Sequence, residues 1–149
     1  MVDEKLLAPC GLYCGVCGVL IAHRANDLNF KERLAKVYGV APTDLACEGC
    51  GSDIRPVFCQ TCSYRDCASG KGYQGCHQCA DFPCKMIDDF PIEVGKRVIL
   101  RAIPAWRELG TEEYVAAEEK RYACPECGAP LFRGAKRCRS CRTPVNVDG

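Results

Sequence analysis

The feature that most constrains this chain is its cysteine content. There are fifteen cysteines in 149 residues, and most of them fall in six C-x-x-C pairs. Two intervening residues let the chain turn tightly enough for both sulfurs to bind one ion, and two such pairs complete a tetrahedron. The spacing therefore predicts metal sites. The candidate ligands are Cys10, Cys14, Cys17, Cys47, Cys50, Cys59, Cys62, Cys67, Cys76, Cys79, Cys84, Cys124, Cys127, Cys138 and Cys141.

Disulfide bonds are the other use of so many cysteines. The first residues lack a positively charged start followed by an apolar stretch, so we expect no signal peptide and a cytoplasmic location. The longest aliphatic run, at residues 19–22, is too short to span a bilayer. Thiols stay reduced in the cytoplasm, and an odd number of cysteines fits a disulfide framework poorly. Metal binding is therefore the predicted role.

Cysteine density divides the chain into three segments. Eleven cysteines lie within residues 10–84, none within 85–123 and four within 124–141. We predict a cysteine-rich metal-binding module at 1–84, a helical connector packed on it at 85–122, and a zinc-ribbon-like finger and tail at 123–149. The predicted fold class is small, metal-stabilised and mainly α, with short β-hairpins at the metal loops. With only five Phe and one Trp, the apolar core needs such reinforcement.

Helical periodicity is clearest in two places. One helix is predicted to start with Asn29 as its cap and to stop at Gly39, with Phe30, Leu34, Val37 and Tyr38 on one face. The connector is predicted to form two or three short helices, broken or restarted at Pro104. Its expected buried residues are Ile92, Val98, Ile99, Ala102, Ile103, Trp106 and Tyr114.

The strongest local motif lies near the C-terminal end. The sequence C-P-E-C-G lies at 124–128 and C-R-S-C at 138–141, with ten residues between Cys127 and Cys138. Gly128 can adopt the positive φ needed just after the second ligand, whereas Arg142 stands where many zinc ribbons have another glycine. This stretch resembles a zinc ribbon, and it predicts a structural zinc ion.

The other cysteines permit several partitions. Two four-thiolate sets are suggested by spacing, and three cysteines then share an ion with an open position that His23 or His77 would fill. The sets could also interleave, because spacing does not decide which pairs share an ion. Three to four zinc ions per chain are predicted. The two sets are Cys47, Cys50, Cys59 and Cys62, and Cys67, Cys76, Cys79 and Cys84; the remaining three are Cys10, Cys14 and Cys17.

Enzymatic uses of these cysteines find less support. The C-x3-C-x2-C spacing at 10–17 is that of radical-SAM enzymes, but the chain is too short for their barrel. The thioredoxin-type C-G-V-C at 14–17 has no preceding strand. An iron–sulfur or thiol redox protein is the alternative function, because thiolates alone do not distinguish zinc from iron. The doublets at 88–89 and 118–119 are interpreted as solvated acidic faces, and no catalytic residue is predicted.

The charge of the chain indicates which kind of partner it could bind. The formal net charge of +1 gives no overall attraction to nucleic acid or membrane. Residues 123–143, however, carry five basic residues against one acid, Glu126. These basic residues could form a nucleic-acid face or offset the charge of a thiolate-bound ion. A protein partner bound by a rigid metal scaffold is the favoured interpretation. The basic residues are Arg133, Lys136, Arg137, Arg139 and Arg142.

Several of these motifs together resemble a known pattern. They are A-P-C-G-L-Y-C-G-V-C at 8–17, C-E-G-C at 47–50, C-S-Y-R-D-C-A at 62–68 and the run from Cys76 to F-P-C at 82–84. The chain resembles, over residues 6–122, a family of cysteine-rich prokaryotic proteins known only as a domain of unknown function, whose members commonly carry a zinc-ribbon-like tail. The resemblance implies cysteine-bound metal, zinc above all, in a prokaryotic cytoplasm. We therefore expect a non-enzymatic zinc-binding scaffold for a protein or nucleic-acid partner.

Overall fold

The computed structural model describes residues 2–149; Met1, the first residue of the predicted N-terminal module, lies outside the described residues. The described chain is helical. Its α-helices α1 to α6 span Gly18–Arg24, Leu28–Tyr38, Ser63–Gly70, Lys85–Asp88, Glu93–Leu109 and Thr111–Arg121. Short 3₁₀ turns occupy Glu4–Leu6, Cys14–Val16, Pro42–Leu45, Val57–Cys59 and Cys76–Gln78.

The prediction of short β-hairpins and a C-terminal zinc ribbon was wrong. Residues 2–149 contain no β-strand, and the finger has only two isolated bridges, Ala123 to Pro130 and Arg137 to Pro144. Each loop turns back within a few residues, so one bridging pair forms and no ladder follows. A strand of ordinary length needs about five or six residues, which these tight loops do not provide.

Helix α2 begins earlier than predicted. Asp27, not Asn29, is its N-cap, and the Asp27 side chain accepts a hydrogen bond from the backbone N–H of Phe30 at 3.0 Å. The helix ends at Gly39, which has a φ of 70°, as predicted. Phe30 is buried as expected, but Val37 is 79% exposed. The buried face of α2 is thus narrower than its sequence pattern suggested.

Helix α5 is continuous, so the predicted break at Pro104 was wrong. Pro104 lies inside the helix with its side chain exposed, and water can satisfy the carbonyl that loses its helical donor there. The predicted apolar stripe is confirmed at Val98, Ile99, Ala102 and Ile103, which are all buried. The prediction was wrong at Ile92, the N-cap of the helix, which is 54% exposed. Within residues 2–149, no helix combines the length and the apolar character needed to cross a membrane.

Trp106 lies at the centre of the core, as predicted. It is fully buried, and its indole Nε1 donates a hydrogen bond to Thr111 Oγ1 at 2.9 Å. Tyr114 stacks on one side with ring centroids 5.1 Å apart, and the His77 imidazole stacks at 3.8 Å. The same buried cluster also takes in Leu20 and Leu131, so all three predicted segments contribute to one core.

Helices α5 and α6 are joined by a buried ion pair. Glu118 is only 2% exposed, and its two carboxylate oxygens accept hydrogen bonds from the Arg101 guanidinium at 2.6 and 3.1 Å. Glu119 accepts a hydrogen bond from the Tyr13 hydroxyl at 2.9 Å. The interpretation of this acidic doublet as a solvated face was therefore wrong for Glu118, whereas Glu119 is exposed. Both carboxylates are used to position neighbouring segments.

Candidate metal centres

Four cysteines near the C-terminal end form a compact set, called here the finger site. Their Sγ atoms all lie within 4.8 Å of one another. The Sγ atoms of Cys124 and Cys141 are 3.7 Å apart, as are those of Cys127 and Cys138. A tetrahedral ion with metal–sulfur bonds of about 2.3 Å places its sulfurs about 3.8 Å apart. The four thiols therefore fit one ion, and they are too close together to bind four separate irons of a cluster.

Two matching turns bring these sulfurs together. Gly128 donates its backbone N–H to the Cys124 carbonyl at 2.9 Å, and Arg142 donates to the Cys138 carbonyl at 3.1 Å. Gly128 has a φ of 75°, as predicted, and Arg142 has a φ of 68°. Arg142 thus adopts the left-handed conformation that its Cβ disfavours. The second turn keeps the geometry of the first in spite of lacking its glycine.

The finger site also favours the thiolate form at one ligand. The backbone N–H groups of Cys141 and Ser140 lower the pKa of the Cys138 thiol, because they stabilise its ionised form. Cys124 and Cys138 are buried, whereas Cys127 and Cys141 are exposed. An ion bound here would lie at the protein surface with all four positions taken by sulfur.

The finger packs against the rest of the molecule. Arg133 donates its backbone N–H to the Val16 carbonyl at 2.7 Å. The guanidinium of Arg139 lies over the Phe30 ring, 3.9 Å from its centroid, and pairs with Asp27, the cap of α2. These contacts attach the finger to the first two helices.

A second group of four cysteines lines one small cavity, called here the cavity site. Its volume is about 30 Å³, and Lys71, Tyr73 and Phe82 complete its wall. The Lys71 Nζ atom lies 3.8 Å from the Cys79 sulfur. A cavity of this size accommodates a single ion or water molecule. The four cysteines are Cys67, Cys76, Cys79 and Cys84.

The long helix α5 holds the loop of the cavity site. The Arg107 guanidinium donates hydrogen bonds to the carbonyls of His77 and Cys79 at 2.8 and 3.0 Å. On the other side, Cys76 donates its backbone N–H to the Pro9 carbonyl at 2.8 Å. The loop is therefore held between helix α5 and the cysteine motif at residues 8–17.

The remaining cysteines come from two distant stretches that meet in the structure. The backbone N–H of Cys50 donates to the Cys14 sulfur at 3.3 Å. The first stretch therefore meets the second where Cys14 and Cys50 are in contact. Burial is the largest cause that raises the pKa of Cys59 to about 12. This set, called here the seven-thiol cluster, comprises Cys10, Cys14, Cys17, Cys47, Cys50, Cys59 and Cys62.

A glycine fixes the first stretch against the core. Gly11 has a φ of 92°, and a Cβ at this position would lie 2.9 Å from the Ile103 Cδ1 atom. Its carbonyl accepts a hydrogen bond from the Tyr114 hydroxyl at 2.9 Å. Only glycine combines this backbone angle with so close an approach. The core helices therefore determine where the first cysteines lie.

The three groups of cysteines differ in the distances between their sulfur atoms. Within residues 2–149, only the finger site brings three or more potential ligand atoms within 4.8 Å of one another. In the cavity site and the seven-thiol cluster the sulfurs do not gather this closely. Sequence spacing predicted the finger ligands as one set, and it left the grouping of the other eleven cysteines open.

The two histidines that the sequence offered as ligands, His23 and His77, make different contacts. The Nδ1 atom of His23 lies 3.1 Å from Lys31 Nζ, and its Nε2 atom lies 3.7 Å from a carboxylate oxygen of Glu48. The His77 ring lies flat against Trp106, and its buried Nδ1 has no hydrogen-bond partner. Neither imidazole belongs to a close group of ligand atoms in the described chain.

Three arginines near the seven-thiol cluster were missed as site residues from the sequence. Arg65 directs Nη1 at the Cys50 sulfur, 3.7 Å away, and Arg55 donates to the Cys50 carbonyl at 3.3 Å. Arg133 donates from its guanidinium to the Tyr13 carbonyl at 3.1 Å. The sequence places Arg133 among the basic residues of the finger, and nothing in its local sequence indicates its contact with Tyr13.

One of the three comparisons with known proteins finds a match for this chain. No curated protein and no solved structure matches it. A family model described as "Protein of unknown function (DUF3795)" matches residues 6–89. This is more than half of the chain, and it contains the eleven cysteines that precede the finger, although it ends within the connector, whereas the resemblance had extended to residue 122. The chain therefore belongs to this family of proteins of unknown function.

Proposed function

We propose that this chain is a non-enzymatic zinc-binding protein of the prokaryotic cytoplasm, in which thiolate-bound zinc holds cysteine loops as a scaffold for a protein partner. The observation that carries the proposal is the spacing of the four sulfurs at the finger site, which fits one tetrahedral ion. Four sulfur ligands fill every position of such an ion, which is typical of structural zinc and leaves no place for a substrate.

Metal content tests the proposal most simply. The full chain, purified without oxygen, is expected to be colourless and to contain roughly three to four zinc ions. Visible absorption with stoichiometric iron would contradict it and favour the iron–sulfur or redox function. Elemental analysis together with an absorption spectrum distinguishes the two.

Variants can then assign one ion to the finger site. The exchange of two exposed ligands, Cys127→Ser with Cys141→Ser, is expected to remove one zinc ion from the total. Ser140→Ala is the matched control, because it lies in the same turn and keeps both the backbone N–H and all four thiols. An unchanged zinc content in the double variant would reject the finger site as a zinc site.

Exposed apolar side chains support a protein partner. The rings of Tyr38 and Phe58 stack with centroids 4.7 Å apart, and each side chain is 42% exposed. Val37 and Val57, their neighbours in sequence, are also exposed. Contiguous exposed apolar surface of this kind is typical of protein contacts. It lies where the end of α2 meets the loop that precedes Cys59.

The basic residues of the finger give a nucleic-acid partner less support. Arg133 and Arg139 bind groups within the chain, and Lys136 contacts Asn146 and Gly149. The side chains left for phosphate are those of Arg137 and Arg142.

Nucleic-acid binding measured over a range of salt concentrations tests this preference. The full chain is expected to show no salt-dependent binding to a random-sequence duplex. Binding that weakens steeply with salt, and that Arg137→Gln together with Arg142→Gln reduces, would show a nucleic-acid partner instead.

A further inference from the structure

We propose that zinc binding at the finger site depends on the start of helix α2, where Asp27 and Phe30 hold the side chain of Arg139 between two of the ligands. The proposal rests on the zinc function proposed above. It makes these three residues positioning residues, because none of them contacts the ion. Its basis is the difference between the two ligand turns and the contacts that Arg139 makes.

The two ligand turns differ in sequence. The first contains Pro125 and Gly128, which favour the backbone angles of such a turn. The second has Arg139 and Arg142 at the corresponding positions, and Arg142 keeps a φ of 68°. A strained backbone of this kind persists only where the surrounding structure holds it. We therefore expect the second turn to depend on contacts that its own sequence does not supply.

Arg139 makes contacts of this kind. Its guanidinium donates a hydrogen bond to the Oδ2 atom of Asp27 and lies over the Phe30 ring, 3.9 Å from the centroid. The Arg139 and Asp27 side chains are only 30% and 32% exposed, so solvent and salt screen this ion pair less than a fully exposed one. The contact with the ring adds a cation–π interaction. The second turn is therefore attached to helix α2 by charge and by packing.

The partners of Arg139 are themselves fixed. The Oδ1 atom of Asp27 accepts a hydrogen bond from the Phe30 backbone N–H, and the Asp27 backbone N–H donates to the Ala22 carbonyl, each at 3.0 Å. Phe30 is only 3% exposed, and its ring packs against that of Phe132 with centroids 5.0 Å apart. Phe132 lies between the two ligand pairs. Phe30 therefore contacts both halves of the finger and holds them together.

These contacts prepare the second ligand pair for the ion. Arg139 lies between Cys138 and Cys141, so whatever holds its side chain also restricts the turn that carries both sulfurs. Ligands that are already ordered lose less conformational freedom on binding, and they bind more tightly for that reason. Loss of the Asp27 contact should therefore weaken zinc binding, although Asp27 belongs to a different part of the chain.

Release of zinc from the full-length chain tests the proposal. The zinc-loaded protein is titrated with a chelator under anaerobic conditions while a thiol reagent is present. Cys127 and Cys141 are exposed, so their modification, located by mass spectrometry, reports loss of the finger ion. The chelator concentration at half modification gives the relative zinc affinity of the site.

Asp27→Asn is the decisive variant, because asparagine is also a good helix cap and removes only the charge. Its zinc affinity at the finger is expected to fall about fivefold, at the lower end of usual couplings between sites. Direct electrostatics alone predicts the opposite, because an ion with four thiolates carries a net charge of about −2 and a nearby negative charge disfavours it. An affinity equal to or above that of the unaltered chain would overturn the proposal.

Arg139→Gln should lower the affinity by a similar factor, and adding Asp27→Asn to it should change little, because the partner is already absent. Arg137→Gln is the matched control, since it removes the same charge at an exposed position of the finger, and it should retain the affinity of the unaltered chain. Trp106 fluorescence reports whether each variant is folded. Full addition of the two single effects in the double variant would show that Asp27 and Arg139 act independently, against the proposal.

The two proposals fail in different ways. If Cys127 and Cys141 of the unaltered chain react at once without chelator, the finger holds no zinc and both proposals are wrong. If they are protected, and every variant releases its zinc at the same chelator concentration, the dependence on helix α2 is wrong and the zinc function stands.

Discussion

The finger site and the seven-thiol cluster are both built from C-x-x-C pairs, yet they are assembled in different ways. The finger takes its ligands from residues 124–141, and two local turns bring the sulfurs together. The cluster joins residues 10–17 to residues 47–62, and Gly11 in the first stretch is fixed by Tyr114 and Ile103 of the core. Identical spacing therefore gives a local site in one place and a site that depends on tertiary packing in the other.

The largest expected difference comes from removing one ligand from each region. Cys14→Ser is expected to loosen residues 2–84 broadly, because structural zinc binding is worth on the order of 10 kcal/mol and the cluster joins distant segments. Cys127→Ser is expected to loosen only residues 123–149. Hydrogen exchange along the chain measures both effects. Loss of protection over the same residues in the two variants would remove the distinction between local and tertiary assembly.

A smaller effect is expected from the core residue that supports the N-terminal loops. Trp106→Ala should lower the free energy of unfolding by about 3–5 kcal/mol, because it empties the centre of the core and removes the stack with His77 and Tyr114. It should also weaken metal binding at the cavity site while leaving the finger ion bound. Leu100→Ala, at a partly exposed position of the same helix, is the control for thermal unfolding and zinc content. Equal losses in the two variants would argue against a supporting role for Trp106.

Two glycines with similar backbone angles make the comparison sharper. Gly11→Ala should destabilise the protein by about 2–3 kcal/mol, because backbone strain adds to a clash with Ile103. Gly128→Ala should cost only about 1 kcal/mol, because no atom lies within 4 Å of the added methyl group. Chemical denaturation of both variants gives the two values. A larger cost at Gly128 would reverse the proposed order.

The smallest expected effect is a gain in stability. Arg142 has a φ of 68°, and replacing it with glycine should relieve about 1 kcal/mol of backbone strain. The melting temperature of the zinc-loaded Arg142→Gly variant should therefore rise by a few degrees. Arg137→Gly, at an exposed position without a positive φ, is the control, and its melting temperature should not rise. A fall in the melting temperature of Arg142→Gly would show that its side chain contributes more than its backbone costs.

The sequence was most informative where the structure is local. It predicted the four finger ligands as one set, the positive φ of Gly128 and the buried stripe of α5, because each depends on residues close together in the chain. It also predicted β-hairpins, which did not form because the loops turn too soon for a ladder. Other features depend on which distant segments come into contact. They are the hydrogen bond from Cys50 to Cys14, the contact of Arg133 with the Tyr13 carbonyl and the burial of Glu118. No local pattern in a single sequence shows which distant segments will be in contact.

The central claim is that thiolate-bound zinc supplies order that the small apolar core does not supply alone. Trp106 is the only tryptophan and is fully buried, so its fluorescence reports on the core directly. Stepwise removal of metal by a strong chelator, under reducing conditions, should shift Trp106 emission to longer wavelength and reduce the helical circular dichroism in parallel. A metal-free chain that keeps both signals unchanged would contradict the account.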